Sequence, residues 1–163
     1  MRLFILISLS LFLTAIPAHA QFGFGGEGVI DVKAQEATYK GGITILTGNV
    51  IIKQGDATIT SDKMTIYRAE NANSRTALKL GEITRIVAEG QFVYDAPENK
   101  VTGDRGIYKR VDKQIDVFGN VVLKQPSGNL VTSDSLFYDL ETNRARFKNE
   151  SGRTNFTIGT QNQ

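Results

Sequence analysis

The chain has 163 residues, with 19 Lys+Arg against 17 Asp+Glu, a single histidine and no cysteine or tryptophan. A one-domain chain with a formal charge of +2 and no cysteine excludes a disulfide framework and broad attraction to nucleic acid, which needs a clustered basic face. The lone histidine, His19, lies in an N-terminal leader, so the rest has no Cys-His or Ser-His-Asp nucleophile, no ordinary tetrahedral zinc site and no haem ligand set.

That leader reads as a cleavable signal peptide over residues 1–20. Met1-Arg2 supplies the positive start, Leu3 to Ile16 an apolar run, and Pro17-Ala18-His19-Ala20 an A-x-A cleavage pattern before Gln21. The apolar run is shorter than the roughly 17 to 25 residues of a membrane-spanning helix, which disfavours an uncleaved anchor. Residues 21–28 form a glycine-rich leader. Gly23-Phe24-Gly25-Gly26-Glu27-Gly28 satisfies G-x-G-x-x-G, but it neither follows a strand nor opens a helix, so it is read as flexible and not as a nucleotide site.

From Val29 onward the hydrophobic period is two. Ile30 and Val32, Ile43 and Ile45, Val50 and Ile52, Ala57 and Ile59, Met64 and Ile66, Phe92 and Tyr94, Ile115 and Val117, and Val121 and Leu123 each mark a strand. No segment offers a helical face. Gly41-Gly42, Gly48-Asn49, Gly55-Asp56, Gly103-Asp104 and Gly119-Asn120 punctuate the runs where positive φ or Asx turns are cheap. Residues 70–82 read as the long loop. The expectation is one all-β domain over 29–158, a sandwich or incomplete barrel, followed by a tail over 159–163.

Gly48-Asn49-Val50-Ile51-Ile52-Lys53-Gln54 recurs as Gly119-Asn120-Val121-Val122-Leu123-Lys124-Gln125, and each copy runs on into Thr-Ser-Asp, at Thr60-Ser61-Asp62 and Thr132-Ser133-Asp134. Thr102-Gly103-Asp104 is a degenerate middle copy. One hairpin cannot bury its own apolar face, so stacked copies share a continuous core. The end strands of such a stack, Val29 to Ala34 on one side and Arg144 to Lys148 with Asn155 to Ile158 on the other, offer unpaired edges suited to head-to-tail strand addition or to cover by the tails.

Asp56, Asp62, Glu89, Asp95, Asp104 and Asp134 are scattered, and no spacing singles out a catalytic carboxylate pair, so turn capping is the favoured reading. Arg105, Lys109, Arg110 and Lys113 are interleaved with Asp104 and Asp112 and read as solvated surface. Arg68 ends an apolar strand, where it meets either solvent or an anionic group at the mouth of an apolar cavity. The inward set Ile30, Val32, Ile43, Ile45, Val50, Ile52, Ile59, Met64 and Ile66, dominated by β-branched residues, fits a plain packed core or an acyl-chain groove.

The run Leu46-Thr47-Gly48-Asn49-Val50-Ile51-Ile52-Lys53-Gln54-Gly55 with Ile59-Thr60-Ser61-Asp62-Lys63-Met64, and its second copy after Ile107-Tyr108, resembles the LptA/OstA-like family of periplasmic lipopolysaccharide transport proteins over about residues 29 to 147. The resemblance implies a slightly twisted β-jelly roll, built from stacked antiparallel strand repeats and open at both ends. It implies a bridge that shields lipid A acyl chains and carries lipopolysaccharide from an inner-membrane exporter to an outer-membrane translocon. The expected partners are lipopolysaccharide, an inner-membrane LptC-like component, an outer-membrane LptD-like component and further copies of the chain. No enzyme activity, cofactor, metal or nucleic acid is expected. Ile30, Val32, Arg68 and Tyr108 match family positions. Ile43, Ile45, Val50, Ile52, Ile59, Met64, Ile66, Val121 and Leu123 complete the lipid-facing set, with Phe92 placed there by alternation alone. The alternatives are a periplasmic β-solenoid scaffold with a packed core, a membrane-anchored LptC-like component and a glycan hydrolase.

Overall fold

The computed structural model describes residues 30–69, 82–142 and 144–159. The leader, the glycine-rich stretch and most of the expected long loop lie outside the described residues. Among those described there are ten strands and no helix: β1 Ile30–Lys33, β2 Glu36–Lys40, β3 Ile43–Gln54, β4 Ala57–Arg68, β5 Ile83–Ala96, β6 Asn99–Lys109, β7 Gln114–Lys124, β8 Leu130–Asp139, β9 Arg144–Lys148 and β10 Asn155–Thr157. They form one antiparallel sheet in the order β1-β3-β4-β5-β6-β7-β8-β10, with β2 also on β3 and β9 also on β8. The sheet does not close. The expected all-β jelly roll is what folds.

Every long strand is bent at its middle. The register shifts between Thr47 and Val50, Thr60 and Lys63, Glu89 and Phe92, Thr102 and Arg105, and Phe118 and Val121. These bulges line up into a crease that folds the sheet into two arms. The first arm holds β2, β9 and the halves 43–47, 63–68, 83–89, 105–109, 114–118 and 135–139. The second holds β1, β10 and the halves 50–54, 57–61, 92–96, 99–103, 121–124 and 130–133.

The duplicated motifs are the chemistry of this crease. Gly48-Asn49, Gly90-Gln91 and Gly119-Asn120 each place two successive residues at positive φ, with values of 80 and 47, 76 and 45, and 76 and 48 degrees. Glycine meets that demand without strain, and Asn meets it better than most. The neighbouring strand supplies an aspartate: Asp62 packs where a Cβ on Gly90 would stand, and Asp104 does the same at Gly119. Asn120 Nδ2 donates to Asp104 Oδ2 at 3.1 Å. Asp134, the third aspartate, accepts the Glu150 N–H at 2.7 Å. Ser61 and Ser133 span the same bend, each donating to the carbonyl two residues on, at 2.9 and 3.0 Å.

The crease also decides which side chains face inward. On β3, β5 and β7 the extra bulge residue keeps the parity, so Leu46 and Val50 both point in, as do Ala88 and Phe92. On β4, β6 and β8 the parity flips, and pairs such as Asp62 and Lys63 both point out. Leu46, Val50, Ile52, Ile59, Met64, Ile66, Phe92, Val101, Val117, Val121 and Leu136 form one core between the arms. Outside it, on the first arm, Asp116 is 3% exposed and is held by Lys109 Nζ at 2.7 Å and by Gln114.

Candidate functional site: the apolar interior between the arms

Each arm presents rungs of side chains to the other. Nearest the crease, the first arm gives Leu46, Met64, Ala88, Gly106, Val117 and Leu136. The second gives Val50, Ser61, Phe92, Gly103, Val121 and Ser133. The Phe92 ring lies over Gly106, where any side chain would collide with it. One rung farther out, Ile86, Tyr108 and Ile115 of the first arm and Ile59 and Tyr94 of the second close on a narrow apolar seam with about 10 Å³ of free volume.

The interior runs the length of the sheet and its two ends differ. At the β1/β2 end, Ile30 and Val32 face inward beside Gln54 and Ile52, and Tyr39 beside Thr44. Val32 is 44% exposed because no strand lies beyond it. At the other end Phe147 of β9 and Phe156 of β10 meet across the arms, edge to face, with ring centroids 5.9 Å apart. Both ends carry unpaired backbone edges.

Of the residues expected to face the interior, Val50, Ile52, Ile59, Met64, Ile66, Phe92, Tyr108 and Val121 are buried in it. Leu123, Ile30 and Arg68 lie at its margins, half-buried. Ile43 and Ile45 do not belong there. They are 37% and 38% exposed on the outer face of the first arm, paired with Tyr67 and Thr65, while Thr44 and Leu46 point inward. The residue types mislead at this point because Ile43, Ile45 and Leu46 are all apolar, whereas the parity running back from Val50 through the Gly48-Asn49 bulge selects the even numbers. Sequence reasoning missed Leu46, Ile86, Ala88, Tyr94, Val101, Leu136 and Tyr138. Gly90-Gln91, the middle copy of the Gly-Asn pair, was the signal that places Ile86 and Ala88.

The interior holds no described charge cluster of catalytic form, and among the described residues no group of His, Cys, Asp and Glu could hold a metal. Lys109, Arg110 and Lys113 are paired outside it, with Asp116, Glu82 and Glu141 at 2.7, 2.5 and 2.8 Å. Its titratable groups are phenols. Burial raises the pKa of Tyr108 above 10.0, opposed by Arg110, and burial together with Asp139 raises that of Tyr138. The folded state therefore holds these protons more tightly than the unfolded one, and that stabilisation is intact below the unfolded value and lost as pH rises through the folded values. The thermal midpoint is expected to stay level from about pH 7 to 9 and fall above about pH 10, and less steeply in a Tyr108→Phe/Tyr138→Phe variant. Equal slopes in the two proteins would refute this.

The model of a family described as LptA/(LptD N-terminal domain) LPS transport protein matches residues 29–144. An uncharacterized protein of Rhizobium meliloti (strain 1021) is 24% identical over 119 residues, covering 73% of this chain and 63% of that protein. The chain therefore spans less than two thirds of that relative. The fold is similar to the crystal structure of LptH, the LptA-homologous periplasmic component of the lipopolysaccharide transport device of Pseudomonas aeruginosa. The TM-score is 0.66 at 17% identity, over 80% of this chain and 94% of that one.

Proposed function

The chain belongs to the LptA/LptD N-terminal domain family of lipopolysaccharide transport proteins, a family of transport components and not of enzymes, and from this premise we propose that it is a periplasmic bridge protein that shields lipid A acyl chains between its arms. The observation that carries the reading is the apolar interior, which runs from the open β1/β2 end to the β9/β10 end. An acyl chain gains about 0.8 kcal/mol for each methylene taken from water, so a multi-chain lipid crossing an aqueous compartment needs a long apolar lining. The narrow seam means that the arms part to admit it.

The free edges support head-to-tail contact with further copies, with an LptC-like component at one end and an LptD-like component at the other. Strand addition across β1/β2 or β9/β10 satisfies the unpaired N–H and C=O groups of both partners. The signal peptide read over residues 1–20 supports export to the periplasm.

A photo-crosslinking residue placed at Leu46, Ile66 or Phe92 in the chain from Gln21 onward is expected to capture purified lipopolysaccharide, and one at Ile45 is not. Capture at Ile45 alone would turn the assignment inside out. No capture at any of the four by a folded protein would leave the scaffold with a permanently packed core.

A further inference from the structure

The inward rung of the second arm that lies farthest from the crease mixes Ala57 and Ala96 with carboxamides. Gln54 and Asn99 occupy it at 5% and 7% exposure, and Gln125 and Asn129 continue it. Asn129 Nδ2 donates to Gln125 Oε1 at 2.9 Å, Gln125 Nε2 donates to Asn99 Oδ1 at 3.1 Å, and the Gly159 N–H donates to Asn129 Oδ1 at 3.2 Å. The relay occupies the oxygen of all three carboxamides. What it leaves to offer is N–H, and its last member, Asn99, stands one rung out from Tyr94 and Val101 of the core.

The same rung is a boundary. Asn99 and Gln125 also border an open concavity of about 890 Å³ on the outer face of the second arm, lined by Thr58, Asp95, Lys100 and Lys124. Asn99 thus lies where a dry apolar interior gives way to a wet polar surface, and on the inward side its donor is uncharged, the Lys100 and Lys124 ammonium groups standing on the outer face. An amphiphile whose chains lie inside must pass its own polar junction across this line. A neutral carboxamide matches neutral acceptors, whereas a phosphate is better met by guanidinium or ammonium groups.

We propose that Asn99, held in place by Gln125, is a junction site that donates hydrogen bonds to the amide and ester carbonyls and hydroxyls through which acyl chains join the sugars of a glycolipid. This rests on the interior being the lipid-carrying site. Asn99 touches the ligand and Gln125 is a positioning residue.

The test titrates purified lipopolysaccharide and, separately, N-phenyl-1-naphthylamine, an apolar probe without carbonyls, into wild type, Asn99→Ala and Gln125→Ala. Lipopolysaccharide affinity is expected to fall about tenfold in Asn99→Ala and about threefold in Gln125→Ala with probe affinity unchanged, while Asn99→Ala, which leaves the Gln125 amide without its buried acceptor, melts lower. Unchanged lipopolysaccharide affinity in both variants, or an equal loss for both ligands, overturns the junction site while the lipid-carrying interior stands. If Asn99→Ala does not fold, the half-exposed Gln125→Ala decides by the same criterion. A wild type that binds neither ligand overturns the carrying interior and the junction site with it.

Discussion

Gly119→Val is expected to cost about 3 kcal/mol and to lower the thermal midpoint by roughly 10 °C. Two effects add. Gly119 sits at φ 76, a region that costs an ordinary L-residue about 1 to 2 kcal/mol and suits a β-branched one worst. Its missing Cβ also leaves the space that the Asp104 side chain fills. Valine pushes that carboxylate away and breaks its hydrogen bond from Asn120. Gly41→Ala is the matched control, since Gly41 has φ 54 but nothing within 4 Å of a built Cβ. It should lose only the conformational part, about 1 kcal/mol. Thermal melts of the three proteins decide the matter, and a Gly119→Val midpoint equal to that of Gly41→Ala would show that the crease tolerates displacement of its aspartate.

Bridging Phe147→Cys to Phe156→Cys with a short bismaleimide is expected to weaken lipopolysaccharide binding by roughly tenfold or more, because affinity scales with the fraction of molecules whose arms can part. The two rings already touch across the arms at the β9/β10 end, so the bridge holds a contact that exists and distorts little. The chain has no cysteine of its own, and the bridge is therefore unique. The unbridged double variant controls for loss of the rings. Equal binding with and without the bridge would mean that the arms need not separate at this end.

The strand periods, the turn glycines and the repeat were readable because each is a local consequence of backbone chemistry. A period of two follows from the pleat, and Gly-Asn followed by Ser-Asp names residues suited to positive φ and to capping bare amides. The third copy of the Gly-Asn pair, Gly90-Gln91, escaped notice because a glutamine stands for the asparagine. Side-chain facing was less legible. Val50, Ile52 and Phe92 face the core, as alternation predicts, but Ile43 and Ile45 face outward, since three apolar residues around Thr44 leave alternation without a unique phase.

The carboxamide rung was invisible as a unit. Gln54 ends β3, Asn99 begins β6, and Gln125 and Asn129 lie in the β7–β8 turn, so only pairing β6 with β7 and closing that turn brings Asn99, Gln125 and Asn129 into one relay. The Phe147 and Phe156 contact likewise depends on folding β9 and β10 onto opposite arms.

The sequence by itself determined an all-β chain with repeated bends, an apolar stripe and a family. Those properties reside in single strands, where pleat, propensity and turn chemistry act over a few residues. Tertiary structure decided which stripe faces inward, how narrow the interior is and where its polar boundary falls. Each of these depends on how bulges in neighbouring strands line up into one crease, because a one-residue offset on any strand sends every later side chain to the other face.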